Sequence, residues 1–156
     1  MGVFDFFRKK KGTVEIKTED LKQFTSDMQA NAAALVKQFS ETNLDFSIDS
    51  LQALDEIIEE NMHFFKQADD ETKRKMIIKI GSYIFEVARR NFGGRYFWYD
   101  RLDQPILVTG QPEFEMSLLA YEKVKGRFMN GTEDNIPFFF DGYVQGVNNK
   151  ENKMVV

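Results

Sequence analysis

Between residues 18 and 91 the apolar positions recur at helical spacing. Leu21, Phe24, Met28, Leu35 and Phe39 follow one another at intervals of three, four and seven, with Ala32 in the gap. One apolar stripe of this kind predicts a helix over residues 18–40. Thr18 is placed to cap it, and Glu19 and Asp20 suit the positive end of its dipole. After an extended link at 44–46, Ser47 reads as the cap of a second helix over residues 48–65, whose stripe is Leu51, Leu54, Ile57, Ile58 and Phe65. A third helix, residues 70–91, has a much wider apolar arc. Ile77, Ile80, Gly81, Ile84 and Ala88 project together, with Ile78 and Phe85 on one flank and Met76, Tyr83 and Val87 on the other. An arc that exceeds the usual stripe of about 100° predicts a central helix covered on more than one side. Gly81 within it predicts the close approach of another backbone, and Gly93-Gly94 ends it because glycine takes the left-handed C′ geometry without penalty.

The period then changes to two. The aromatic run 95–101 reads as a strand, residues 105–109 as a second and 113–118 as a third, with turns at Leu102-Asp103 and Gly110-Gln111-Pro112. In the third, Phe114, Met116 and Leu118 alternate with Glu113, Glu115 and Ser117, which predicts one wet sheet face. Helices follow over residues 120–130 and 135–147, the latter with Pro137 in its first turn. The expected fold is α+β: N-terminal helices, a central buried helix, a three-stranded antiparallel meander and two C-terminal helices. It forms a single domain over residues 18–147, with 1–17 a tail or docked segment and 148–156 a disordered tail.

Composition sharpens this picture in three ways. Sixteen phenylalanines predict a ring-rich core. The absence of cysteine excludes disulfides, thiol nucleophiles and cysteine metal sites, and agrees with a cytoplasmic setting. The net charge of −4 is uneven: the first twelve residues carry +3 and the remainder −7. An acidic body argues against specific nucleic-acid binding. No run reaches the roughly 18 apolar residues of a membrane span. Phe4, Phe6 and Phe7 precede Arg8, Lys9, Lys10 and Lys11, a pairing that suits either weak contact with an anionic membrane surface or docking on the domain.

Catalytic signatures are missing from the sequence. His63 is the lone histidine and has no nucleophile elbow to serve. Most carboxylates fall in first turns of helices, where they answer the dipole. No metal or cofactor pattern and no phosphate-binding loop is present. Glu86 lies opposite Ile77 among Lys75, Lys79, Arg89 and Arg90, as a solvated salt-bridge face or a polar docking face. With Asp100 and Asp103 it is the best carboxylate set for a hydrolase or small-ligand site. The first strand offers the clearest binding candidate. Tyr96 and Trp98 share one face, Phe97 and Tyr99 the other, and Arg95 and Arg101 lie with Phe97 and Tyr99. With one sheet face wet, two rings stand out beside arginines, the make-up of interface hot spots. The partner-binding candidates are Arg95, Phe97, Tyr99, Arg101, Glu86 and Phe138, the last projecting away from the apolar face of its helix.

Two segments, Gly81-Ser-Tyr-Ile-Phe-Glu86-Val-Ala-Arg89-Arg90-Asn-Phe-Gly93-Gly94-Arg-Tyr96 and Ala120-Tyr-Glu-Lys-Val-Lys-Gly-Arg127-Phe-Met-Asn130-Gly131-Thr-Glu133-Asp134, resemble a family of small uncharacterised bacterial α+β proteins, a domain of unknown function. Tyr96 stands where that family has tryptophan, and Ala120-Tyr121-Glu122 where it has asparagine-proline-phenylalanine. The resemblance implies a bacterial origin, no assigned enzymatic activity and, for some members, immunity-type roles. The expected function is therefore a non-enzymatic protein-interaction domain without cofactors, with the carboxylate hydrolase as the alternative.

Overall fold

The computed structural model describes residues 12–156. Among the described residues the apolar spacings resolve into six α-helices and a five-stranded sheet, an α+β architecture. The elements are β1 (Thr13–Val14), α1 (Thr18–Gln38), α2 (Ser50–Glu60), α3 (Met62–Gln67), α4 (Asp70–Phe92), β2 (Arg95–Tyr99), β3 (Gln104–Thr109), β4 (Met116–Leu118), α5 (Ala120–Asn130), a 3₁₀ turn (Gly131–Asp134), α6 (Ile136–Asn148) and β5 (Lys153–Val155). The strand order is β1-β2-β3-β4-β5. The first three pairings are antiparallel and β4–β5 is parallel.

The predicted central helix is α4. All nine residues from Ile80 to Ala88 are buried, against α1, α5 and the sheet. Asp69 caps it by accepting from the Thr72 amide (2.8 Å), and Gly93 closes it at φ 76°. The close approach at Gly81 is made by a side chain rather than a backbone: a Cβ there would run into the Tyr121 ring.

The sequence-based outline needs four corrections. The second helix is broken at Asn61, whose side-chain amide donates to the Ile57 carbonyl (2.8 Å). A side chain competing for a helix carbonyl in this way interrupts the ladder. It also begins late, at Ser50. Ser47 instead accepts from the Ser50 amide (3.1 Å) across a preceding turn. The third strand is only three residues long and has no wet face, since Glu115 and Ser117 are both buried. Finally, residues 148–156 are not a disordered tail. Lys153–Val155 pairs alongside β4, and Asn152 Oδ1 accepts from the Glu115 amide (2.8 Å) to hold the register. β1 and β5 escape sequence reading because two or three residues carry no periodicity. The membrane-contact candidates Phe4, Phe6, Phe7, Lys9, Lys10 and Lys11 lie outside the described residues. Among the described residues no helix is long and apolar enough to cross a membrane.

A buried ionic knot ties α2, α5 and α6 together. Arg127, 1% exposed, gives two bonds to Asp55 (3.0 and 3.2 Å) and one to Glu59 (2.8 Å). Asp55 also accepts from the Ile136 amide (3.0 Å), so it answers the first turn of α6 as well. Removing one partner of a buried pair strands the other. Asp55→Ala is expected to cost about 3 kcal/mol, the low end for such a break because Glu59 still holds Arg127. Glu59→Ala, at a half-exposed position, is expected to cost under about 1 kcal/mol. Urea unfolding midpoints of the two variants check that order.

Candidate functional site

The sheet separates the strand-borne candidates by face. Tyr96 and Trp98 point toward the helices, and Arg95, Phe97 and Tyr99 point to the other side. There Phe97, Tyr99, Ile106, Val108 and Leu119 form a second apolar cluster with Met154, to which no helix among the described residues contributes. Phe97 is 1% and Tyr99 8% exposed, so these rings do not stand out in water as expected. The reason lies partly in the sheet. β2 is an interior strand between β1 and β3, and its side chains are flanked on both sides by neighbours. Arg95 is partly buried, pairs with Glu15 (2.9 Å) and lies over the Phe97 ring (5.4 Å). Arg101 is exposed beyond the strand end.

The buried side-chain atoms left without partners among the described residues are Thr13 Oγ1, Arg95 Nε, Gln104 Oε1, both Glu115 carboxylate oxygens and Ser117 Oγ. Burial pushes the Glu115 carboxyl above its ordinary range. The Gln111 side chain opposes this only in part and without good hydrogen-bond geometry.

Glu86 also departs from expectation. It is fully buried rather than on a solvated face. Arg89 grips it with two bonds (2.7 and 2.9 Å), Tyr96 donates its hydroxyl (2.8 Å), and Arg90 sits at 3.4 Å. Burial alone would raise its carboxyl, but the Arg89 and Tyr96 hydrogen bonds and the two guanidiniums win and hold it low. Burial and the Glu86 charge push the Tyr96 phenol well up. Glu86 is thus a locked anion, poorly suited to proton transfer. Asp100 is exposed, and Asp103 accepts from Trp98 Nε1 (3.1 Å). The three carboxylates of the hydrolase alternative are not brought together. His63 is exposed, and no group of three or more acidic or histidine side chains among the described residues could hold a metal ion. Phe138 is 80% exposed in the first turn of α6, far along the chain from the other candidates and outside the grooves lined by described residues.

The better-formed concavity is one the sequence did not single out. A groove of about 560 Å³ runs between the first half of α4, α5 and the β2–β3 hairpin. Ile77, Ile78, Trp98, Pro105 and Tyr121 supply its apolar surface, and Leu102 and Met129 stand exposed on its margin. Lys73, Arg74 and Lys125 line it together with Asp70, Asp103 and Glu122. Two of those acids are engaged locally: Asp103 by Trp98, and Glu122 by the Gln104 amide (3.1 Å). Arg74 and Lys125 have no such partner among the described residues. Trp98 is held from two sides, by Asp103 and by the edge of Phe24 on α1 (6.4 Å between centroids). The signal for this site was already in the sequence. Ile77 and Ile78, on the wide apolar arc of α4, stay partly exposed and line the groove.

Glu115 gives a test of the outer face. Its carboxyl titrates higher in the folded chain than in the unfolded one, so stability falls as pH rises from the ordinary glutamate range through the folded value. Glu115→Gln is expected to raise the melting temperature at about pH 7 by about 3 °C, the shift of about 1 kcal/mol in a chain this long, and to leave it unchanged near pH 4. Thermal melts at the two pH values check this.

No protein-family model matches the chain, and neither does any curated protein or solved structure.

Proposed function

We propose that the chain is a non-enzymatic protein-interaction domain, in a cytoplasmic setting, that holds an apolar segment of another protein in the groove between α4, α5 and the β2–β3 hairpin. The observation that carries this reading is Trp98. It is the single tryptophan of the chain, partly exposed on the groove wall, with its indole N–H satisfied by Asp103 and its ring braced by Phe24. A fixed aromatic anchor loses little entropy on binding, and tryptophan, tyrosine, methionine and arginine are the residues enriched at interface hot spots. The groove presents all four, as Trp98, Tyr121, Met129 and Arg74.

The partner's segment is apolar at its centre and acidic at its margin. Arg74 and Lys125 on the rim lack carboxylate partners, whereas two of the three rim acids are already engaged. The resemblance to small bacterial α+β proteins supports an immunity-type role, in which the bound segment belongs to a toxin. The locked state of Glu86 weighs against the hydrolase alternative.

The test uses the 156-residue chain and the partner recovered with it from its native host. Trp98→Ala is expected to weaken that complex at least about thirtyfold, the loss of a hot spot of about 2 kcal/mol, with the melting temperature within a few degrees of the parent. Arg101→Ala, outside the groove, is expected to leave it unchanged. Titration calorimetry reads both, and the tryptophan emission of the parent is expected to move to the blue on binding. Equal affinity for the Trp98→Ala variant and the parent overturns the reading.

A further inference from the structure

A second concavity lies elsewhere on α4 and differs in chemistry from the groove. It has a volume of about 280 Å³ and is enclosed by the C-terminal ends of α1 and α2, by α3, and by the first half of α4. Its apolar lining includes Leu35, Ile57 and Ile80, which are 2%, 4% and 3% exposed. Phe64, 57% exposed, stands among the lining residues as a ring open to water. The polar lining is Gln38, Asn61 and Thr72, and the charged lining is Lys75 and Lys79. None of the lining residues is acidic, in a chain that has 25 acidic residues against 21 basic ones. Lys75 pairs directly with Glu71 (3.2 Å), both side chains largely exposed, and Lys79 has no carboxylate partner among the described residues.

We propose that this pocket binds a small amphiphilic carboxylate, its alkyl or aryl body against Leu35, Ile57 and Ile80 and its anion on Lys79, with Lys75 in support. The proposal is independent of the groove and of any protein partner. An apolar chamber with a few convergent polar groups is the usual form of a small-molecule site. The volume sets the size of the occupant. At about 30 Å³ for each water-sized group the chamber takes roughly nine such groups, the length of a medium-chain acid. It excludes a second alkyl chain, so a diacyl lipid does not fit. The anion follows from charge: the lining holds two lysines and no acid, Lys79 has no carboxylate partner among the described residues, and charge-assisted bonds are stronger than neutral ones.

Octanoate is the probe, with 1-octanol as the uncharged control of the same tail. Methyl NMR of the 156-residue chain follows the isoleucine and methionine signals during titration. The expected result is saturable binding of octanoate with the largest shifts at Ile57, Met76 and Ile80. Affinity is expected to fall about tenfold in Lys79→Ala and to return in Lys79→Arg, the scale of one lost charge-assisted hydrogen bond. Three results overturn the proposal: no saturable shift, the largest shifts at Ile77, Ile78 and Met129 of the groove, or octanol binding as well as octanoate.

Discussion

The enclosure of α4 is the constraint from which most of the structure follows. A helix satisfies its own backbone, so it can be buried on every side without loss, but its polar side chains must then find partners in the surrounding elements. Three of the buried positions between Ile80 and Ala88 meet that demand in different directions. Ser82 lies 3.2 Å from the Tyr121 hydroxyl on α5, with the Met28 sulfur of α1 at 3.8 Å. Tyr83 bonds Ser50 of α2 (2.6 Å), and its hydroxyl also receives the Phe46 amide (2.9 Å). Glu86 takes the Tyr96 hydroxyl of β2. The helix is thereby indexed against α1, α2, α5 and the sheet together, which hydrophobic packing alone, being non-directional, does not do.

The same logic recurs at the periphery of the core. Asp55 answers both the Arg127 guanidinium and the first turn of α6, so one carboxylate sets the angle between two helices and a third. Thr109 gives a quieter instance. Its hydroxyl bonds the Gly93 carbonyl (2.8 Å) and meets the Tyr143 hydroxyl (2.7 Å), joining the end of α4, β3 and α6, and burial pushes the Tyr143 phenol up to about 12. Buried polar groups cost free energy unless every member is satisfied, and these networks are. The outer sheet face is the exception. Among the described residues, both Glu115 carboxylate oxygens and Ser117 Oγ are buried there without a partner.

The first half of α4, before full burial begins at Ile80, is the less enclosed part of that helix. There the helix turns different residues into two concavities. Ile77 and Ile78 enter the groove beside Trp98, while Met76 and Lys79 enter the smaller pocket beside α1 and α2. The two share a rigid wall but differ in charge, since acids line the first and none lines the second. A protein segment suits the open groove, and a small anion with an apolar body suits the chamber.

Helix spacing made α1, α4 and α5 legible, along with the burial of α4, the glycine stop at Gly93 and the α+β class, because these depend on local periodicity and cap chemistry. The two edge strands were not legible, since their pairing rests on partners more than thirty residues away in sequence. Neither was the standing of Glu86 or Phe97. A charge at an exposed-looking helix position and a ring on a strand have no inside or outside until other elements arrive. Arg89 and Tyr96 hold Glu86 in its buried place, and the neighbours of β2 flank Phe97 on both sides. By itself, then, the sequence determined which segments are helices and strands and that one helix must be enclosed, through steric and hydrophobic period. Only the tertiary structure decided which charged groups are paired, which apolar side chains remain in reach of water and where two concavities open, because burial and partnership are properties of distant residues brought together.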